Sequence, residues 1–246
     1  SLINYIKSSF SKDSLLGSIL FFLVLSSWYV LRPVRNEMAV SNVNELPILL
    51  AAGAIAMLLV NPIYSWMASK SNLKKIILFC YSFLIMNLIL FLFSWKFLGL
   101  GESLWLGRIF YVWCNIYSFF VVSIFWVLII NLFRDSNRRS FYGVIMAGGS
   151  VGALFGSEIS KRFSTSFNEL GLELFTLSAA FLLFLAMLLA LYMLSKFQRD
   201  SNLTLSNVGG GGFDAIKNSL KVDEIRNIAS YVWIWTALMT IQWITA

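Results

Sequence analysis

Leu15-Leu16-Gly17-Ser18-Ile19-Leu20-Phe21-Phe22-Leu23-Val24-Leu25-Ser26-Ser27-Trp28-Tyr29-Val30-Leu31 runs directly into Arg32-Pro33-Val34-Arg35-Asn36-Glu37. The first part is an apolar run close to the ~20 helical residues that cross a hydrocarbon layer of roughly 30 Å. The second part sets two guanidinium groups and a carboxylate at its far end. Charges at membrane depth are costly and turn toward a cavity, a partner or the interface and away from lipid. Further runs of the same kind follow along the chain, so the reading is all-α: a polytopic membrane helical bundle.

Composition agrees. The chain has 246 residues, 59% hydrophobic and only 13% charged, with a mean hydropathy of +0.77. Soluble domains carry about a quarter charged residues. The net charge is +7, but the basic residues sit mainly in short loops between apolar runs, where they set orientation in the bilayer. Nucleic acid is therefore not an expected partner, and the lipid bilayer is. Histidine is absent, which removes the commonest general base and proton relay. Cys80 and Cys114 lie inside apolar runs, and two cysteines without histidine make neither a zinc site nor an extracellular disulfide. No cofactor and no metal are expected. The first run ends in Arg-Pro-Val-Arg with no small-residue cleavage pattern, unlike a signal peptide.

Seven spans can be read: Ser14–Leu31, with helix continuing toward Val40, then Leu46–Ala68, Ile76–Phe97, Leu104–Phe133, Phe141–Ile159, Leu172–Leu194, and a last one starting near Ile228 and still apolar at Ala246. With a first residue of Ser and no polar flank after the last span, the chain reads as part of a longer protein: six complete spans and most of a seventh. Residues 1–195 form the six-helix bundle, 196–227 a linker, and 228–246 the start of a second bundle. The linker contains Gly209-Gly210-Gly211-Gly212, a flexible break. After it Phe213, Ile216, Leu220 and Ile225 recur at helical spacing, as in an amphipathic helix on a membrane surface. With the N-terminus and alternate loops on one side, that side holds 13 of the 19 Lys and Arg residues. It should be cytoplasmic, with the linker, in a bacterial-type inner (plasma) membrane.

Two constellations carry possible chemistry. Arg32, Arg35 and Asn36 stand at i, i+3 and i+4 and share a helical face, continued inward by Trp28 and Tyr29. One reading is a basic, aromatic-lined patch for an anionic solute, with Glu37 balancing the charge. The other ends the helix at Pro33 and leaves both arginines among headgroups. In the fourth span Arg108 and Asn115 are two turns apart, with Trp126 further along. They either line a central pathway, or Arg108 snorkels to the interface while Asn115 joins helices. Asn87 and Asn131 are further amides inside spans.

Gly148, Gly152 and Gly156 repeat every four residues in the fifth span. Such a stripe lets another helix approach closely in a membrane. A phosphate loop is disfavoured, because no strand precedes it and no Lys-Ser/Thr follows. The basic loops Lys70, Lys74, Lys75 and Arg134, Asp135, Arg138, Arg139 either set orientation alone or form a cytoplasmic latch in which Asp135 is the acidic partner.

Six spans, a long linker and a further span resemble the first half of a major facilitator superfamily transporter, whose C-terminal half would then be a partner in the same chain. Ser65-Trp66-Met67-Ala68-Ser69-Lys70-Ser71-Asn72-Leu73-Lys74-Lys75 keeps the basic residues of that family's second-to-third loop but lacks its glycines and aspartate. The words Leu31-Arg32-Pro33-Val34-Arg35-Asn36-Glu37-Met38, Arg108-Ile109-Phe110-Tyr111-Val112-Trp113, Phe120-Val121-Val122-Ser123-Ile124-Phe125-Trp126 and Ala147-Gly148-Gly149-Ser150-Val151-Gly152-Ala153 resemble the bacterial ATP/ADP-translocase-like group. The resemblance implies two halves rocking about a midplane site lined by the first and fourth helices. That would turn Arg32, Arg35, Arg108 and Asn115 toward a small-molecule solute. The expectation is a secondary transporter, not an enzyme, moving a small anionic solute, with nucleotide exchange as one form of it. The alternatives are a facilitator for a sugar conjugate, peptide or drug, a non-transporting receptor or assembly subunit, and a membrane-embedded transferase. The last is weakened by the scarcity of carboxylates inside the spans.

Overall fold

The computed structural model describes residues 11–40, 45–70, 72–98, 103–133, 141–165, 167–201, 221 and 223–245. They form α1 (Lys12–Val40), α2 (Leu46–Lys70), α3 (Leu73–Phe97), α4 (Leu104–Leu132), α5 (Phe141–Thr165), α6 (Phe167–Ser201) and α7 (Asp223–Thr245). There is no strand among the described residues. The fold is all-helical, and α1 to α6 each contain a stretch long and apolar enough to cross a membrane. The last helix, α7, is not among those six.

Several helices outrun their apolar stretches. Hydropathy marks where lipid contact ends, whereas helical hydrogen bonding continues through flanking Ser, Lys, Arg and Gln. Thus α5 continues past Ile159 through Lys161 and Arg162, and α6 extends from Phe167 to Ser201. A break in helical geometry at Gly171 (φ 0°, ψ −110°) interrupts the first turns of α6. Pro33 does not end α1, which runs on to Val40. The amphipathic pattern at Phe213, Ile216 and Leu220 lies outside the described residues, and Ile225 falls in the first turn of α7.

The most extensive helix pair is α1 with α5, and glycine is the reason. A Cβ on Gly148 would collide with Ser18, one on Gly152 with the backbone of Phe22, and one on Gly156 with the Ser26 carbonyl at 2.7 Å. Further along, Ser160 Oγ donates to the Val30 carbonyl at 3.3 Å across 130 residues. The same offset relates 18 to 148, 22 to 152 and 26 to 156, so the two helices run parallel in constant register. Ser26 Oγ also donates to the Gly152 carbonyl at 3.0 Å. Lipid is as apolar as leucine, so close backbone contact and interhelical hydrogen bonds take over from the hydrophobic effect, each bond contributing about 0.6 kcal/mol.

With one face of α1 against α5, the opposite face meets α4 and α6. Phe21 stacks on Phe125 with ring centroids 4.2 Å apart. Ser27 Oγ donates to the Ala179 carbonyl of α6 at 3.0 Å and bonds the hydroxyl of Tyr117 on α4. Since Ser27 has one proton and gives it to Ala179, Tyr117 is the donor to Ser27. Leu20, Val24, Leu31, Tyr117, Phe125 and Leu183 fill this three-helix core. Next to it, α3 pairs with α6, and Ser82 Oγ donates to Met187 Sδ at 3.6 Å.

Ion pairs tie both ends of the bundle. Lys196 at the end of α6 meets Asp13 at the start of α1 at 2.8 Å. There Ser11 and Ser14 cap α1 reciprocally, each backbone N–H bonding the other's hydroxyl at 3.0 and 3.1 Å. At the opposite rim Lys96 of α3 meets Glu173 of α6 at 2.8 Å. Large apolar side chains such as Leu58, Phe79, Leu154 and Phe181 are exposed on several sides of the bundle. Such a surface fits lipid and does not fit water.

The α1–α5 contact makes a prediction. Gly152→Leu in the full-length protein should lower its thermal unfolding midpoint in detergent by more than ordinary overpacking, which costs about 1–3 kcal/mol, because the obstacle is backbone. Gly143 has nothing within 4 Å of an added Cβ, so Gly143→Leu should change stability by no more than ~0.5 kcal/mol. Equal midpoints for the two variants would contradict the close approach.

Candidate functional site

Arg32 and Arg35 are three residues apart, about 60° around a helix, and the bundle uses that angle to separate them. Arg32 lies over the Tyr29 ring at 5.5 Å and is exposed on the α5 side. With Tyr29, Pro33, Asn36, Glu37, Ser157, Ser160 and Lys161 it lines an open groove of about 480 Å³. Arg35 turns instead toward α4. Its guanidinium lies 5.3 Å from the centroid of the Trp28 ring and 5.7 Å from that of Tyr111. The shared face of Arg32, Arg35 and Asn36 is thus divided between two neighbouring helices.

Direction matters as much as angle. Side chains on a helix tilt toward its N-terminus. At the rim where α1 ends, this tilt carries the Arg35 head group back into the bundle, two turns toward Trp28. There Nη1 donates to Asn115 Oδ1 at 3.2 Å, while Nε and Nη2 donate to Asn36 Oδ1 at 3.3 and 3.0 Å. Asn115 is held in turn: its Nδ2 donates to the Tyr111 carbonyl at 3.3 Å, and it fits where Gly53 of α2 has no side chain, since a Cβ there would lie 2.9 Å from Nδ2. The acceptors around Arg35 are neutral amides. Among the described residues no carboxylate pairs with it.

Arg108 has the opposite fate. It sits in the first turns of α4, which starts at the rim where α1 ends, so the same tilt points it outward. It lies over the Trp105 ring at 4.6 Å and grips Glu45, just before α2, through Nε–Oε2 at 2.8 Å and Nη2–Oε1 at 2.5 Å. Arg108 and Asn115 share a face of α4 but engage different partners. Glu37, about 200° around the helix from Arg35, is exposed and forms no ion pair with Arg32 or Arg35 among the described residues.

Trp126 lies far from these groups. It is eleven residues beyond Asn115 on the same helix, ~16 Å at 1.5 Å per residue, and packs with Phe21, Phe125 and Tyr142. Asn87 and Asn131 each donate to the carbonyl four residues back in their own helix, at 2.7 Å. Lys74 and Lys75 are exposed. The side chain of Lys70 and the residues Asp135, Arg138 and Arg139 lie outside the described residues. Gly148, Gly152 and Gly156 face α1 and take no part in the Arg35 cluster.

Five residues of this region are not singled out for a role by the sequence: Tyr111, Gly53, Glu45 and the pair Ser27 and Tyr117. Tyr111 stands four residues before Asn115, so a face-by-face reading would have found it. Gly53 interrupts an otherwise strong helix pattern, which is itself a signal of close approach. Glu45 falls at the rim that also holds the start of the fourth span. Ser27–Tyr117 had no signal beyond apolar surroundings. It forms the floor of the site, because Tyr117 packs on Trp28 and Trp113 at centroid distances of 6.3 and 5.2 Å. A scan against protein-family models, a search of curated proteins and a search of solved structures each return no match.

The floor can be tested by a double-mutant cycle. Ser27→Ala should destabilise the protein by about 1–3 kcal/mol, leaving a buried phenol unsatisfied. Adding Tyr117→Phe should then cost far less than it does alone. Additive losses in thermal unfolding would remove the pair from the account.

Proposed function

We propose that this chain belongs to a secondary transporter that carries a small anionic solute by alternating access, with Arg35 as the solute's positive contact. The single observation that carries the reading is Arg35 itself: a half-buried guanidinium between two aromatic rings, bonded among the described residues only to amides. A charge taken out of water without a counter-charge is costly. It is retained where an anion supplies the missing partner, and a guanidinium can meet a phosphate or carboxylate through two parallel N–H bonds. Arg108, with Glu45 already in place, has no such demand.

The wider architecture supports the same reading. Six membrane-length helices with the cation between the first, second and fourth suit one half of a major-facilitator-like protein, whose second half would close the cavity from the other side. In that scheme α7 begins the second half. The aromatic rings of Trp28 and Tyr111 suit a solute that carries a flat base beside its phosphates, which keeps nucleotide exchange within the proposal.

Proteoliposomes of the full-length protein provide the test. Arg35→Gln should reduce uptake of a labelled anionic solute on the order of 100-fold, the factor carried by ~3 kcal/mol of lost charge pairing. Arg35→Lys should restore only part of it, since an ammonium lacks the planar fork. Insertion into the membrane should be normal in both. Labelled ATP and ADP, compared with labelled non-nucleotide phosphates and carboxylates, identify the class of solute. Unchanged flux of every anion in Arg35→Gln would end the proposal.

A further inference from the structure

A second cavity lies apart from Arg35, between α2 and α4. It encloses about 580 Å³ and is walled by Ile48, Leu49, Ala52, Ile109, Val112 and Ile116. The Glu45–Arg108 pair stands at its mouth, with side chains a third and a quarter exposed. From Arg108 to Ile116 is two helical turns, ~12 Å at 1.5 Å per residue. The cavity is open to the outside of the bundle, where Ile48 is 69% and Ile109 56% exposed. An apolar slot with a charged mouth opening sideways from a membrane-length bundle takes an amphiphile and excludes a free polar solute.

The mouth specifies the head group. Arg108 spends only its Nε and one terminal nitrogen on Glu45, leaving further N–H donors of its five. Each Glu45 oxygen accepts one bond and keeps a lone pair. The two residues therefore present adjacent, unexhausted charges of opposite sign. A headgroup with a phosphate and a primary ammonium matches both at once. An anionic headgroup such as phosphatidylglycerol could set its phosphate on Arg108 but has no ammonium to answer Glu45, and a choline group has no N–H to give the carboxylate.

Trp113 lines the inner wall of the same cavity, is 9% exposed, and packs its ring against Phe91, Phe110 and Tyr117. Trp113 stands five residues deeper than Arg108, ~7.5 Å along the helix, and closes the apolar wall of the slot there. We propose that the α2–α4 groove is a binding site for a phosphatidylethanolamine molecule: phosphate on Arg108, ammonium on Glu45 and an acyl chain along Ala52 and Ile116. This site is independent of what Arg35 binds.

The experiment uses the full-length protein, delipidated in detergent and equilibrated with phosphatidylethanolamine, phosphatidylcholine or phosphatidylglycerol of identical acyl chains. Bound lipid is counted by mass spectrometry. Wild-type protein should retain phosphatidylethanolamine about tenfold over the other two, as expected for one charge-assisted hydrogen bond. Glu45→Gln should shift the preference to phosphatidylglycerol, because Arg108 then stands alone. Ala52→Phe, which fills the slot and leaves the mouth intact, should abolish retention of all three. Equal retention of the three lipids by the wild type would overturn the proposal, as would unchanged preference in Glu45→Gln. So would full retention by a monodisperse Ala52→Phe protein. Should Ala52→Phe not fold, the first two measurements still decide.

Discussion

The backbone-to-backbone approach of α1 and α5 is the constraint on which the remaining arrangement depends. Glycine at 148, 152 and 156 lets α5 come against Ser18, Phe22 and Ser26 with no side chain between them. In lipid there is little hydrophobic drive to bring two helices together, so the contact rests on surface fit and on hydroxyl-to-carbonyl bonds. Once that face of α1 is occupied, its rotation about its own axis is set. The opposite face must then deliver Val24, Ser27 and Leu31 to α4 and α6, and Trp28 and Arg35 to the side of α4. Small residues on one helix thereby aim a cation carried by another.

Two arginines at one end of the bundle show how neighbours determine what a charge is for. Arg108 is neutralised by a carboxylate, stacked on an aromatic ring and partly exposed. Its contribution is local, at the mouth of an apolar groove. Arg35 is flanked by two rings and bonded to two amides, of which Asn115 is itself held in place. The amides fix its position without cancelling its charge. Electrostatic preorganisation of this kind leaves the attraction for an anion largely intact while removing the need to reorganise on binding.

Much of the architecture was legible in the residues. Seven apolar runs leave few alternatives to a helical bundle, and the first six exist as helices of membrane length among the described residues, whereas α7 is not one of them. Their ends were less legible, because lipid contact and hydrogen bonding stop at different residues, as in α5 and α6. Pro33 left two readings open, and the helix passes through it. Arg35 and Asn115 could each be singled out as polar groups in apolar runs. That they touch could not, since a face assigned by periodicity is about 60° wide and the choice between α4 and α5 lies within it. Glu45 escaped notice for a related reason: nothing local marks a loop carboxylate as the partner of an arginine 63 residues away.

Antiparallel neighbours α1 and α4 carry one further consequence. A long cation placed near a bundle's end acts as a probe of the interior when its helix is finishing there, and as a mooring to the outside when its helix is beginning. Chain polarity therefore sorts identical residues by depth, before any neighbour is considered. Transplanting Arg35 to the equivalent height on α4 would reverse the side of the barrier it serves, although its chemistry would be the same.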